Sequence, residues 1–275
     1  MSAAPPVRID AFGVSHIGKV RKENQDHFVV ASLQKKLSVR QSNLDHADYL
    51  GGSAGPEALL FLVADGVGGQ PGGAMASGTA ATVIVEYLAH AAGCFNNADT
   101  ESEHEFLALL EEGVHQAHAK IEEAAQRKTR PATTLTMALL LWPRAYLVHV
   151  GDSRAHYMSK GWLRPLTRDQ TMGEYLVDAG AMSEEDAKRS NLGGTLYSAL
   201  GGTDMTPSIG LIDFNPGDVL LLCSDGLTKH VNEAQVAAVL GKAVSAEAMC
   251  GELLDAALAG GGSDNVTVIV ARMVA

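Results

Sequence analysis

The sequence predicts an α+β fold in which two antiparallel β-sheets pack face to face and helix pairs cover them outside, a four-layer αββα arrangement. Three observations predict it. Short apolar runs come in pairs joined by turn residues, which makes neighbouring strands antiparallel. Helical periodicity is gathered into blocks instead of alternating with every strand, which argues against a parallel βαβ fold. The chain has 275 residues, 46% hydrophobic and 19% charged, enough to bury one full core as a single domain over residues 1–275.

Taken in order, residues 1–8 read as a loose tail, and residues 9–15 alternate apolar and polar as an edge strand does. A charged loop, GKVRKENQD over residues 18–26, leads into a strand at 27–32. Residues 33–57 turn polar and irregular, with Gly51-Gly52 and Gly55-Pro56, and read as a long connection or insertion. Residues 59–64 (LLFLVA) are a buried strand that stops at Asp65-Gly66 in a glycine-rich stretch. Helices follow over residues 73–92 and 101–125, with Ile84, Leu88, Leu110, Val114 and Ile121 on their apolar stripes. His115 and His118, three apart on the second helix, read as surface or packing residues.

Residues 132–142 and 145–150 form a hairpin about Pro143-Arg144, and 156–158 with 162–166 continue the sheet about Lys160-Gly161. Residues 167–200 are polar, hold two short helical pieces with a cap at Ser183, and read as a flap beside a site. Strands at 208–214 and 219–223 flank the Asn215-Pro216-Gly217-Asp218 turn. Asn232 with Gln235 caps one helix, Ser245 opens another that ends in Gly260-Gly261-Gly262, and residues 266–272 are the closing strand.

A net charge of −11 argues against nucleic acid or an anionic membrane as the main partner. Three cysteines without CxxC spacing argue against a disulfide framework or a zinc site. With no apolar leader core and no run of about 18 apolar residues, a cytoplasmic, monomeric protein without a membrane anchor is expected.

The chemistry-bearing signal is a recurrence. Asp65, Asp152 and Asp225 each follow an apolar run, whereas Asp26 and Asp264 each precede one. Antiparallel strands place one strand's end beside another's start, so five aspartates are expected at one sheet edge. Clustered carboxylates repel one another, and a hard divalent cation relieves that repulsion. Aspartate oxygens suit Mg²⁺ or Mn²⁺, and a pair of such ions suits in-line attack on a phosphate ester. Gly68-Gly69 and Gly72-Gly73 are not followed by GK[ST], which disfavours a nucleotide P-loop.

The strings RKENQD (21–26), ADGVGG (64–69), GDSR (151–154), SDGL (224–227) and SDNVT (263–267) resemble, in order, those of the type-2C metal-dependent serine/threonine protein phosphatases of the bacterial branch. The resemblance implies a β-sandwich flanked by helix pairs and a binuclear Mn²⁺ or Mg²⁺ centre that activates a hydroxide. On it, Asp65 bridges two ions, Gly66 offers its carbonyl, and Asp225 and Asp264 complete the shell of the first metal. Asp26 acts directly or through water, Asp152 helps hold a third, weaker ion, and Arg21 binds the substrate phosphate. Arg21, Asp26 and Asp65 are thus the catalytic candidates, and no phosphoenzyme is expected.

The partners implied are phosphorylated proteins, in opposition to a bacterial serine/threonine kinase. The pattern departs at Gln25, where many eukaryotic members carry a metal-binding glutamate, and at Val67, where they carry a histidine proposed as general acid. Two competing readings are a catalytically weak phosphoprotein-sensing domain and a small-molecule phosphoesterase.

Overall fold

The computed structural model describes residues 8–33, 37–42, 58–67, 72–91, 100–125 and 130–274. Two antiparallel sheets form its centre. In the first, β1 (Arg8–His16), β11 (Val266–Val274), β10 (Val219–Cys223), β7 (Arg154–Ser159) and β8 (Trp162–Pro165) lie side by side in that order. In the second the order is β3 (Leu37–Ser42), β2 (Asp26–Leu33), β4 (Ala58–Asp65), β5 (Leu135–Leu141), β6 (Arg144–Val150) and β9 (Ser208–Asp213).

Strand β4 shows why its run is apolar throughout. Leu59, Phe61 and Val63 enter the core between the sheets, while Leu60, Leu62 and Ala64 enter the core beneath the helices. Both faces are covered, so no polar alternation remains. Phe61, Leu60 and Leu62 are fully buried, each a contribution of about 1.5–3 kcal/mol.

Helices α1 (Gly73–Ala91) and α2 (Thr100–Ala124) cover the second sheet, with Ile84, Leu88, Leu110, Val114 and Ile121 in that core. The first sheet is covered by α5 (Asp225–Thr228), α6 (Glu233–Leu240) and α7 (Ala246–Ala259) through Leu227, Val236, Met249 and Leu253. The caps read from sequence are formed. Asn232 and Gln235 make a reciprocal capping box, and Ser245 accepts from the N–H of Ala248. In the flap stretch, α3 (Met172–Asp178) and α4 (Glu184–Arg189) precede a 3₁₀ turn, Asn191–Gly194.

Two expectations change, and one element is added. Within 33–57, residues 37–42 form β3 against β2, while 34–36 and 43–57 lie outside the described residues. A short edge strand paired on one side needs little apolar content, and its sequence shows none of the long runs. The second hairpin does not continue the first. After β6 the chain turns at residues 151–153 and crosses to the other sheet, where β7 pairs with β10. Finally, the one-turn helix α5 begins at Asp225 itself, too short to show a helical period.

Candidate active site

The aspartates gather at one end of the sandwich, drawn from both sheets and not from a single sheet edge. Asp26 and Asp65 are direct partners in the β2–β4 ladder. Asp225 follows β10 and Asp264 precedes β11, the adjacent strand of the other sheet. Asp152 lies in the crossover between them. A cleft of about 800 Å³ has Arg21, Asp65, Gly66, Asp152, Asp225 and Asp264 in its walls. Of the residues the sequence singled out, only Asp26 lies behind the wall, 1% exposed.

Local geometry explains the two Asp-Gly pairs. A Cβ on Gly66 would come within 2.4 Å of the Gly73 carbonyl oxygen, and one on Gly226 within 1.9 Å of the Asn265 carbonyl oxygen. Each aspartate is followed by a position where another backbone passes in contact, so only glycine fits. Asp65 is fixed further through its backbone: its N–H donates to Thr134 Oγ1 at 3.0 Å and its carbonyl accepts from Thr134 N–H at 2.9 Å.

The carboxylates sit in different company. Asp26 Oδ2 accepts from the hydroxyls of Ser224 and Thr267, both at 2.7 Å. Burial holds Asp26 up at about 6 despite those bonds. Asp65 is raised well above the usual range, first by burial and then by Asp26, Asp225, Asp152 and Asp264. Asp152 is pushed up to about 7 by burial, Asp225 and Asp169. Asp225 is also raised by burial, although Lys229 opposes it. Asp264 differs: burial works upward, yet the Arg21 and Lys229 bonds leave it below its ordinary value.

Among the described residues, Arg21 and Lys229 bond these carboxylates directly. Arg21 grips Asp264 with Nε at 2.6 Å from Oδ1 and Nη2 at 2.8 Å from Oδ2. Lys229 Nζ lies 2.6 Å from Asp225 Oδ2 and 2.7 Å from Asp264 Oδ2. Lys229 was not anticipated. Its signal was an Asp-x-x-x-Lys spacing, which puts both side chains on one helical face. Asn265 was also missed as a bracket. Its Oδ1 accepts from Gln25 N–H and its Nδ2 donates to the Ile17 and Glu23 carbonyls, which fixes the loop that carries Arg21.

Residues 190 and 193–196 form another wall of the cleft. The flap that carries them is moored at its root. Arg154 makes two 2.7 Å bonds to Asp169, His149 Nε2 lies 3.1 Å from the Arg168 carbonyl, and the Gln170 amide donates to the Thr206 carbonyl. His118 is a packing residue, as read: its Nδ1 accepts from Gly201 N–H.

The donor set fits hard divalent cations: clustered carboxylates, a backbone carbonyl, and the buried Asp225 Oδ1, which has no hydrogen-bond partner. Among the described residues no three acidic, histidine or cysteine side chains are arranged, as they stand, to hold a metal ion. Ammonium and guanidinium groups stand between the carboxylates instead. The β-sandwich and this carboxylate cleft define a class of oxygen-donor metal centres.

A family model described as "Protein phosphatase 2C" matches residues 37–259, and the chain belongs to that family. The serine/threonine protein phosphatase PstP of Mycobacterium tuberculosis is 36% identical over 222 residues, which cover 79% of this chain and 41% of PstP. The chain thus spans less than half the length of that relative. The solved PstP/Ppp phosphatase of Mycobacterium tuberculosis superposes with a TM-score of 0.74 at 30% identity, covering 98% of this chain and 100% of that one. The catalytic domain of PstP, solved in complex with two manganese ions, gives 0.72 at 30% identity, covering 98% and 99%.

Proposed function

We propose that this chain is a metal-dependent protein serine/threonine phosphatase that hydrolyses phosphoserine and phosphothreonine in proteins phosphorylated by a bacterial-type kinase. The supporting observation is the meeting of Asp26 and Asp65 from one sheet with Asp225 and Asp264 from the other, beneath Arg21 at the rim. Asp65, the Gly66 carbonyl, Asp225 and Asp264 would hold two Mn²⁺ or Mg²⁺ ions, and Asp152 would help hold a weaker third. When bound, these ions would supply Lewis-acid activation of water and neutralise phosphate charge.

The chain's own residues do the rest. Arg21 exchanges Asp264 for the phosphate, whose oxygens match the guanidinium fork in the same bidentate way. Asp26, held ionisable between Ser224 and Thr267, orients the Asp65 carboxylate or a water beside it. No side chain is set to attack. Burial pushes the Cys223 thiol up to about 12, and the Ser224 hydroxyl is already donated to Asp26. No phosphoenzyme forms, and acid quench during turnover is expected to trap no phosphoprotein intermediate.

The flap wall at residues 193–196 would meet the peptide on either side of the phosphoresidue and so set substrate choice. Exchanging residues 167–200 for those of a relative is expected to change peptide preference and leave a small aryl phosphate largely unaffected.

The deciding experiment is hydrolysis of a phosphothreonine peptide in EDTA, then Mn²⁺, then Mg²⁺, for the native chain and Asp225→Asn. Metal-dependent turnover lost in the variant is expected. An inactive native chain that still binds Mn²⁺ would shift the reading to a phosphoprotein-sensing domain, and a preference for small phosphometabolites would shift it to a phosphoesterase.

A further inference from the structure

Lys229 stands among the carboxylates of the cleft, and the function proposed above gives it no role. Its backbone is fixed: it closes α5, donates its N–H to the Asp225 carbonyl at 2.9 Å, and is flanked by the buried Leu227 and Val231. From that root the side chain folds back over the first residue of the helix, as the i, i+4 spacing dictates. Its ammonium then bonds one oxygen each of Asp225 and Asp264, at 2.6 and 2.7 Å.

On the reading above these two carboxylates would hold a divalent ion, and the Oδ2 oxygen of each carries a protein cation. Asp264 carries a second, Arg21. The remaining buried oxygen, Asp225 Oδ1, has no hydrogen-bond partner.

We propose that Lys229 is a tethered competitor of the divalent cation: its ammonium holds Asp225 and Asp264 until the metal displaces it, so metal loading is graded by the free ion concentration. The inference rests on the metal-centre reading above. A cation anchored four residues from its partner never leaves the neighbourhood, and its effective concentration at the carboxylates is on the order of millimolar or more. The apparent affinity for a divalent ion is therefore lower than the bare affinity of the ligands by what the two charge-assisted bonds contribute. Arg21 competes differently. It holds only Asp264 and is 40% exposed, so its release is expected to be easier and its effect on loading smaller.

The test is calorimetric titration of the EDTA-stripped full chain with Mn²⁺, in native form and as Lys229→Met and Arg21→Met, with thermal melts of each in EDTA. Methionine keeps most of the aliphatic length and removes the charge. The expected result is Mn²⁺ affinity at least about 10-fold tighter in Lys229→Met, a smaller gain in Arg21→Met, and a larger Mn²⁺-induced rise in melting temperature for Lys229→Met than for the native chain. Equal or weaker Mn²⁺ affinity in a folded Lys229→Met would overturn the competitor and leave the metal centre standing. A Lys229→Met that only melts lower in EDTA, with unchanged Mn²⁺ binding, would reduce Lys229 to a structural ion pair. Absence of Mn²⁺ binding in all three chains would overturn the metal reading, and this inference with it.

Discussion

The two sides of the cleft solve one electrostatic problem in different ways. On the second sheet, Asp26 and Asp65 face each other as ladder partners, and Asp26 is quieted by two hydroxyls, Ser224 and Thr267. Both carboxyls are raised, Asp26 to about 6. On the first sheet, Asp225 and Asp264 share Lys229, and Asp264 also binds Arg21, which leaves it below its ordinary value. One pair is bonded by hydroxyls and backbone partners, the other by protein cations, and of the four only Asp264 falls below its ordinary value, since burial still raises Asp225. The difference teaches that the protein's own cations bond the first-sheet carboxylates, whereas among the described residues Asp65 has no ammonium or guanidinium bonded to it and is raised by burial and its carboxylate neighbours.

The largest effect expected from breaking this arrangement is on catalysis. Asp65→Asn and Asp225→Asn should each lower metal-dependent turnover by at least about 10²-fold, because a lost ligand exceeds the 10–100-fold cost of losing an outer-shell partner. Steady-state kinetics on a phosphopeptide would check this. Stability should separate the two variants. In EDTA, Asp65→Asn is expected to melt roughly 4 °C or more above the native chain at neutral pH, since it removes a carboxyl that the folded state must hold protonated far above its ordinary value, whereas Asp225→Asn gains less because Lys229 already opposes its charge. Equal shifts would erase the asymmetry.

Next in size are the glycines. Gly226→Ala is expected to destabilise by about 3 kcal/mol or more, and Gly66→Ala by less, following the 1.9 and 2.4 Å approaches of the neighbouring carbonyl oxygens. Urea denaturation would rank them. Ser224→Ala and Thr267→Ala each remove a hydroxyl donor to a buried carboxylate and are expected to cost about 1.5–3 kcal/mol above pH 7. Below pH 5, where Asp26 takes up its own proton, the cost should shrink.

The comparison is also sharpened through pH. Asp152 has its folded-state value raised to about 7, so in metal-free protein the folded state retains a proton that the unfolded chain has lost above about 4. Its stabilising contribution is complete below about 4 and is lost as pH rises through about 7. His149, held down to about 4 by burial, has the opposite sign: the unfolded chain takes up the proton first, so stability falls as pH drops from about 6.5 to 4. Melting temperatures of Asp152→Asn relative to the native chain in EDTA should therefore rise between pH 4 and 7, while those of His149→Gln should rise relative to native as pH falls through 6.5.

Much of this was legible residue by residue. Strand β4 and its abrupt stop at Asp65-Gly66, the Asn232 and Ser245 caps, and the turn at residues 215–218 depend on neighbours a few positions away, and local physics decides them. Strand β3 was not legible, because an edge strand of mixed composition owes its form to the partner it pairs with. Nor was the assignment of β7 to the opposite sheet, which rests on the crossover at residues 151–153 and on pairing with β10, more than sixty residues later.

For the site, the sequence alone determined which carboxylates gather and what kind of ion they suit, since strand ends, glycine-forced turns and oxygen chemistry are written in local order. That the aspartates come from two sheets, that Asp26 lies behind the wall, and that Lys229 and Arg21 stand between Asp225 and Asp264 was decided only by the tertiary structure. The physical reason is range. A turn or cap is settled within four residues, whereas the charge beside a carboxylate depends on contacts between strands and loops up to 243 positions apart.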